Sequence, residues 1–541
     1  MTLKSAKKKI LKSSRNYFIK SNRFYPLYFI NCRIYQTLGY LIKKYYSTLP
    51  QISSIYLAHG LSVGELYPGL SDFDLAIIYK PSNNNEDFYK KLRARWKRIQ
   101  GFISARDLLL FTENEFKLWQ NYGGGWEPLD DVKNWKLIYG KELRQNKISL
   151  NSQQAQKDRL RYSLSKYHSL INTVIKEEPN SPFLAIKLRR NLYKNFCNSV
   201  FPINTELLSV GNQYKKLLKW IKENVKEYPH LQKLLSIRQN RFQSGEVSKL
   251  RFLIGSLAYG NIDKALQNNT HVYNSNFNTM PDMKNSIPVF NINEVGNKIK
   301  GLASSIVDLV KNNLESIILS SNGSPLGYML FIVLKDGLST EKISDIFKTI
   351  HVIFRIYDDP WFNEHFPAKV PVIYSKNMFI AHMGLWPFHK NNALYHRCVL
   401  YGEDLFESVE TTGPVNENNF EQDIIREKIN LSRSLHQIYL EKNIPALYDF
   451  ITLQFPRLYL LEEHGWIPGT VDEAVFYFDK INNSEVISPA SLFKKHGKKS
   501  IHDLKDALTE KEFQESIDFL NSKFTDDFLS VAIFKDNSIT T

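Results

Sequence analysis

Residues 53–80, SSIYLAHGLSVGELYPGLSDFDLAIIYK, contain two apolar runs separated by a loop that begins with a glycine and ends with two carboxylates. The run Ile55–Ala58 contains a β-branched and an aromatic residue and stops just before the glycine, which predicts a short buried strand. Leu75–Tyr79 predicts a second buried strand. Asp72 and Asp74 precede this second strand, and because side chains alternate along a strand, both carboxylates are expected on one side of it.

Two carboxylates at this spacing repel each other unless a cation lies between them. Oxygen ligands suit a hard divalent ion, above all Mg²⁺, which proteins usually hold with one or two carboxylates and the phosphate oxygens of a substrate. An isolated Asp-x-Asp pair also occurs in turns and at solvated strand ends, so the prediction depends on the flanking strands, the glycine turn and Ser71. Together they predict a site of phosphate chemistry.

These residues resemble the signature of the polymerase-β-like nucleotidyltransferases: a strand, a glycine turn, a loop, and Asp-x-Asp opening the next strand. Gly60, Asp72 and Asp74 match it, with Leu61 where the family usually has Ser or Gly. The family also has a third carboxylate on a neighbouring strand, and the resemblance implies Asp107 in that place. The alternative for Asp107 is a strand-edge acid that pairs with the preceding arginine.

The resemblance implies a fold and a reaction. The expected fold class is α/β (α+β), with a mixed nucleotidyltransferase sheet, helices and an added helical domain. The implied reaction transfers a nucleoside monophosphate, from ATP or another NTP, to an acceptor hydroxyl and releases pyrophosphate. Two Mg²⁺ ions, with Mn²⁺ as an alternative, would be held by the three aspartates. The implied residues are Asp72, Asp74 and Asp107 for metal binding and catalysis, and Gly60, Ser62, Gly64 and Ser71 for nucleotide binding.

Lys187, Arg190 and Lys194 follow one another at helical spacing, so one helix face would carry all three charges. Lys187 and Arg190 are candidates for binding a triphosphate. A solvated surface is the other interpretation.

The chain also contains an internal repeat. Four segments recur at offsets of 255 to 263 positions: 54–57 at 316–319, 75–80 at 330–335, 109–116 at 372–379, and 139–143 at 401–405. At these offsets Gly327, Met329 and Val370 stand opposite the three aspartates, so the second copy lacks all three acids. The sequence predicts a degenerate second copy that packs, binds acceptor or regulates.

The predicted organisation repeats a sheet domain and a helical domain. The expected segments are a basic arm (1–28), an active nucleotidyltransferase-like domain (29–145), a helical domain (146–267), a linker (268–290), a degenerate copy (291–410) and a C-terminal helical domain (411–541). Over Phe29–Gln267 the chain is similar to single-site adenylyltransferases of antibiotics, which pair one sheet domain with one helical domain.

Charge is concentrated at the N-terminus. Residues 1–50 contain eleven Lys and Arg and no Asp or Glu, in a protein of net charge +16. Residues 1–23 could contact RNA or an anionic surface. The sequence contains no run of eighteen apolar residues, which predicts that it has no transmembrane segment. Its three cysteines are widely spaced, which predicts no disulfide framework and a cytoplasmic location.

The nearly neutral remainder favours a small-molecule or protein acceptor. An RNA- or tRNA-modifying nucleotidyltransferase of toxin or defence type is an alternative, as is a non-catalytic binding or scaffold protein with a degenerate site.

Overall fold

The structure is a computed structural model of the 541-residue chain. It describes residues 17–18, 21–22, 24–58, 68, 74–81, 85–100, 108–122, 132, 135–145, 152–177, 182–200, 222–223, 244–268, 292–321, 328–358, 362, 371–386, 397–406, 417–464, 471–482, 492 and 508–523. The statements below concern these residues.

The first half contains a four-stranded mixed sheet in the order β3-β2-β1-β4. Strand β1 pairs antiparallel with β2 and with β4, and β2 pairs parallel with β3. All five residues of β2 and of β3 are buried, as their continuous apolar runs require. The strands are β1 (Ile52–Leu57), β2 (Leu75–Tyr79), β3 (Leu108–Thr112) and β4 (Lys136–Gly140).

The second half contains a sheet of the same order, β7-β6-β5-β8, with the same strand directions. The segments that match in sequence lie on corresponding strands, and the ladder irregularities between Ile52 and Ser54 and between Leu314 and Ser316 also correspond. The strands are β5 (Leu314–Ser321), β6 (Tyr328–Leu334), β7 (Val372–Ser375) and β8 (Arg397–Gly402). The mixed α/β architecture is therefore present twice.

The ends of β4 and β8 show how closely the halves agree. Gly140 and Gly402 have φ values of 82° and 77°, and a Cβ atom would lie 1.8 Å and 2.0 Å from the carbonyl oxygens of Ser53 and Glu315. Only glycine accommodates both this conformation and this close approach. The Tyr-Gly pair that recurs in the sequence thus marks the same close crossing in both sheets.

Helices surround the two sheets. A 3₁₀ turn at Lys311–Asn313 precedes β5, and a π-helical segment at Phe450–Gln454 joins two helices. The helices are α1 (Tyr25–Tyr46), α2 (Asn85–Gln100), α3 (Glu113–Tyr122), α4 (Ser152–Lys176), α5 (Pro182–Val200), α6 (Ser244–Gln267), α7 (Ile292–Val310), α8 (Thr340–Tyr357), α9 (Lys376–Leu385), α10 (Glu417–Glu441), α11 (Ile444–Asp449), α12 (Phe455–His464), α13 (Val471–Asn482) and α14 (Glu510–Lys523). Helix α1 begins at Tyr25, so the boundary expected after residue 28 falls inside a helix.

The two helical segments are exchanged between the sheets. Helices α4, α5 and α6, which follow the first sheet in sequence, share one hydrophobic core with the second sheet. Helix α10 and the helices after it share cores with the first sheet. The expectation that residues 29–267 pair a sheet domain with its own helical domain therefore does not describe the packing of the described residues.

Two arginines mark the exchange at equivalent positions. Arg426 of α10 donates to the carbonyl oxygen of Tyr122, the last residue of α3, at 3.3 Å. Arg161 of α4 donates to the carbonyl oxygen of Leu385, the last residue of α9, at 2.7 Å. Both contacts satisfy a helix C-terminus that lacks intrahelical partners. Helix α10 thus stands to the first sheet as α4 stands to the second.

The exchanged helices also contact each other. Arg426 forms an ion pair with Asp158 of α4, with Nη2 and Oδ1 2.6 Å apart, and the two side chains are 1% and 7% exposed. This pair links the helical segments of the two halves. No helix in the described residues is long and apolar enough to cross a membrane.

Candidate active site at the start of β2

Asp74 lies immediately before β2, as the sequence predicts. It is half-buried, and its carbonyl oxygen accepts a hydrogen bond of 3.0 Å from the backbone N–H of Ala58, one residue after β1. The ladder between β1 and β2 therefore extends to Asp74, which fixes the backbone from which its carboxylate projects.

The register between β2 and β3 bears on the third predicted acid. Leu75 lies opposite Leu108 in a parallel pair. Positions 74 and 107 each precede one of these residues in the chain. Parallel strands whose first residues pair begin at the same edge of a sheet, so β2 and β3 begin at one edge.

The two faces of the first sheet belong to different cores. Leu75, Ile77 and Tyr79 contribute to one core, and Ala76 and Ile78 to the other. By strand alternation position 74 belongs with Ala76 and Ile78. That face is covered by α3 and α10, and its aromatic residues are Tyr56, Phe111, Phe116, Trp119 and Trp135.

Several predicted site residues lie outside the described residues. They are Gly60, Ser62, Gly64, Ser71, Asp72 and Asp107. Gly327 and Val370, the counterparts of Asp72 and Asp107 in the second copy, also lie outside the described residues. In the described part of the chain, no group of three or more His, Cys, Asp and Glu side chains is arranged to hold a metal ion.

The second sheet has an apolar residue at the position of Asp74. Met329 lies within β6, pairs with Ser320 of β5 and packs against the second core. Strand β6 begins one residue earlier, at Tyr328. The β5–β6 ladder therefore includes position 329, the counterpart of Asp74, and the side chain of Met329 provides no oxygen ligand.

Lys187 and Arg190 lie on α5, both half-buried. Helix α5 packs against α4 and α6, and its buried side chains belong to the core of the second sheet. Asp74 lies on the first sheet. The contacts of α5 thus associate these two basic residues with the half of the molecule that lacks the acids.

A buried polar network at the other end of β2 was not predicted. His436 of α10 lies between Glu115 of α3, whose carboxylate oxygens are 2.9 and 3.0 Å from Nε2, and Tyr89 of α2, whose hydroxyl is 2.6 Å from Nδ1. The Tyr89 hydroxyl is 2.7 Å from that of Tyr79. The hydroxyl of Ser432 also donates to Glu115. The network joins α10 to the first sheet.

Glu115 is held ionised by these partners. Burial acts to raise the pKa of its carboxyl, but His436, Ser432 and the backbone N–H of Thr112 outweigh this and lower it. Burial and the neighbouring Tyr79 raise the pKa of Tyr89, which therefore remains neutral. A sequence signal existed in part: Thr112 and Glu115 form a capping box at the start of α3, in which Glu115 N–H donates to Thr112 Oγ1 at 3.1 Å.

The network and the predicted site lie at opposite ends of the same strand. Tyr79 is the last residue of β2 and Asp74 directly precedes the first. Comparisons of the chain with models of protein families, with curated proteins and with solved structures find no match.

Proposed function

We propose that the protein is a metal-dependent nucleotidyltransferase. It would transfer a nucleoside monophosphate from ATP or another NTP to a hydroxyl group of a small molecule or a protein. The observation that supports the proposal is the parallel register of Leu75 and Leu108, because the two strands that follow the predicted acids Asp74 and Asp107 in the chain begin side by side. The Asp-x-Asp motif of the sequence, whose second acid directly precedes β2, would supply the chemistry.

The described part of the edge where β2 and β3 begin contributes one of the three acids proposed to bind divalent cations. Asp74 provides a half-buried carboxylate on a backbone held by the β1–β2 ladder, and hard cations prefer such oxygens. Asp72, Asp74 and Asp107 would hold two Mg²⁺ or Mn²⁺ ions. When bound, the ions would neutralise negative charge on the triphosphate and lower the pKa of the acceptor hydroxyl.

The protein groups would position the reactants. Asp107 would orient the acceptor hydroxyl and take its proton as the oxygen attacks the α-phosphorus. One oxygen–phosphorus bond forms, the bond from the α-phosphorus to the bridging oxygen breaks, and pyrophosphate leaves. Backbone N–H groups between Gly60 and Gly64 would bind the β- and γ-phosphates, since glycine allows the chain to approach them closely.

The exchange of helices indicates which part of the chain completes this site. Helix α10 covers the face of the first sheet to which position 74 belongs. The C-terminal helical segment is therefore the source of acceptor contacts in this proposal. Phosphate binding by Lys187 and Arg190 gains no support from the placement of α5.

The test is transfer of label from the α-phosphate of each NTP, with Mg²⁺, to the small-molecule, protein and RNA fractions of a cell extract. Asp74→Asn removes one metal-binding charge with little change in shape, and transfer should fall by at least about a hundredfold. The matched control is Asp87→Asn on α2 of the same half, where the carboxylate pairs with Lys91 at the surface.

Transfer that survives in both Asp74→Asn and Asp72→Asn would contradict the site. Absence of transfer, together with absence of Mg²⁺-dependent NTP binding, would contradict the reaction and favour a binding protein. Label in the RNA fraction would show that the acceptor is RNA and would not contradict the proposed site.

A further inference from the structure

The outward face of α1 is rich in exposed apolar side chains. The inward face buries Asn31, Tyr35, Ile42 and Tyr46 against the first half of the molecule. The remaining surface of the helix exposes large hydrophobic side chains between Leu27 and Leu41: Leu27, Phe29, Ile30, Ile34, Tyr40 and Leu41, which are 36% to 60% exposed. A groove of about 350 Å³ runs along this side and is lined by Phe29, Ile30, Ile34 and Leu38, with Arg33 and Thr37. Contiguous exposed apolar surface of this kind marks an interaction site.

The repeat provides an internal comparison. Helix α7 precedes β5 in the second half as α1 precedes β1 in the first. Where exposure is described, the exposed residues of α7 are Asn297, Lys298, Lys300, Ser304, Asp308 and Leu309. Only one of these six exposed residues of α7, Leu309, is a large apolar residue, whereas α1 exposes six such residues. The fold therefore does not require the helix at this position to present hydrophobic side chains outward.

The charge of the N-terminal sequence selects the partner. Residues 1–50 contain eleven Lys and Arg, and the first acidic residue of the chain is Glu65. Arg33 and Lys44 are exposed on the same side of α1 as the apolar residues. A surface that combines aliphatic and basic side chains on one helical face is complementary to an anionic lipid surface, where acyl chains and phosphates meet.

The other two occupants fit less well. Pairing of α1 with a second copy of itself would bring two acid-free, basic segments together, and like charges repel. Nucleic acid would satisfy the charge, but Ile30, Ile34 and Leu41 gain nothing from stacking with bases, because stacking requires a π-face. Aliphatic side chains gain most in a hydrocarbon layer.

We propose that the outward face of α1 docks on an anionic membrane surface. The helix would lie parallel to the surface, with Ile30, Ile34 and Leu41 among the acyl chains and Arg33 and Lys44 towards the lipid phosphates. Docking would hold the first half of the molecule close to the membrane. The proposal is independent of the transfer reaction.

The test is co-sedimentation of the full-length protein with vesicles of phosphatidylcholine alone and with vesicles in which about a third of the lipid is phosphatidylserine. The double variant Ile34→Asn and Leu41→Asn removes two apolar contacts and leaves every charge in place. The matched control is Leu309→Asn and Ile356→Asn, two aliphatic residues that are 67% and 76% exposed in the second half.

We expect binding to the anionic vesicles, little binding to the neutral ones, a loss of about tenfold or more in the α1 variant, and no change in the control. Equal binding by all three proteins would show that charge alone acts and would overturn the proposal. So would absence of binding to anionic vesicles. A concentration-dependent dimer, or RNA binding, that the α1 variant abolishes would assign the face to that partner instead.

Discussion

Removal of the carboxylate of Asp158 should destabilise the protein strongly. Its partner Arg426 is 1% exposed, and the ion pair joins two helices from different halves of the chain. In Asp158→Leu the buried guanidinium of Arg426 would lose the charge of Asp158, and breaking a buried pair in this way typically costs about 3–5 kcal/mol. Arg426 would keep its hydrogen bonds to Tyr122, which carry no opposing charge.

The matched control is Asp345→Leu, which removes the carboxylate of a surface pair with Lys348. Both of its side chains are more than half exposed, so the loss should stay below about 1 kcal/mol. The double variant Asp158→Leu with Arg426→Met removes both charges and should recover at least about half of the loss of Asp158→Leu.

The measurement is urea unfolding followed by far-ultraviolet circular dichroism and by fluorescence. The buried Trp119 and Trp135 report on the core that α10 shares with the first sheet. If Asp158→Leu loses no more stability than Asp345→Leu, the two residues are not a buried pair and the exchange of helices is wrong. If the double variant is as unstable as the single one, the stranded charge is not the cause.

Two further perturbations test the repeat and the polar network. Gly140→Ala should lower the free energy of unfolding, measured in urea, by at least about 2 kcal/mol more than Gly337→Ala does. Both glycines have positive φ, but at Gly140 the new Cβ would also lie 1.8 Å from a carbonyl oxygen. Equal losses of stability in the two variants would contradict the close crossing at the end of β4. Glu115→Gln should lower the stability of the protein at neutral pH but not in acid. The pKa of Glu115 in the folded state lies below its ordinary value of 4.5. The ionised carboxylate therefore stabilises the protein above pH 4.5, and this stabilisation disappears as the pH falls through the lower folded pKa. Urea midpoints from about pH 7 to about pH 3 measure this, and parallel curves for the two proteins would contradict an ionised Glu115.

The two halves repeat one scaffold but differ where chemistry is expected. Gly140 and Gly402 close β4 and β8 in the same way, whereas Asp74 is replaced by Met329. Because each sheet is covered by helices from the other half, neither half completes its core with its own chain. The two halves are thus bound to each other by packing, independent of any catalytic role.

The sequence predicted the features that depend on neighbouring residues. Leu75–Tyr79 is a strand with the bounds that its apolar run indicates, and Asp74 stands at its start. The recurring segments lie on corresponding strands, because a repeat preserves local patterns together with the contacts that they make. Asp74 directly precedes β2 as the sequence indicated, whereas the site roles of Asp72, Asp74 and Asp107 all remain predictions.

Only the tertiary structure decided which helices cover which sheet. Helical periodicity shows that a helix has an apolar face, but it does not show what that face packs against. Here the ambiguity is greatest, because the two sheets present similar apolar faces. The network of Glu115 and His436 joins residues 321 positions apart, and Arg426 reaches Asp158 from the opposite half. Such contacts arise from the packing of whole elements, and no local pattern specifies them.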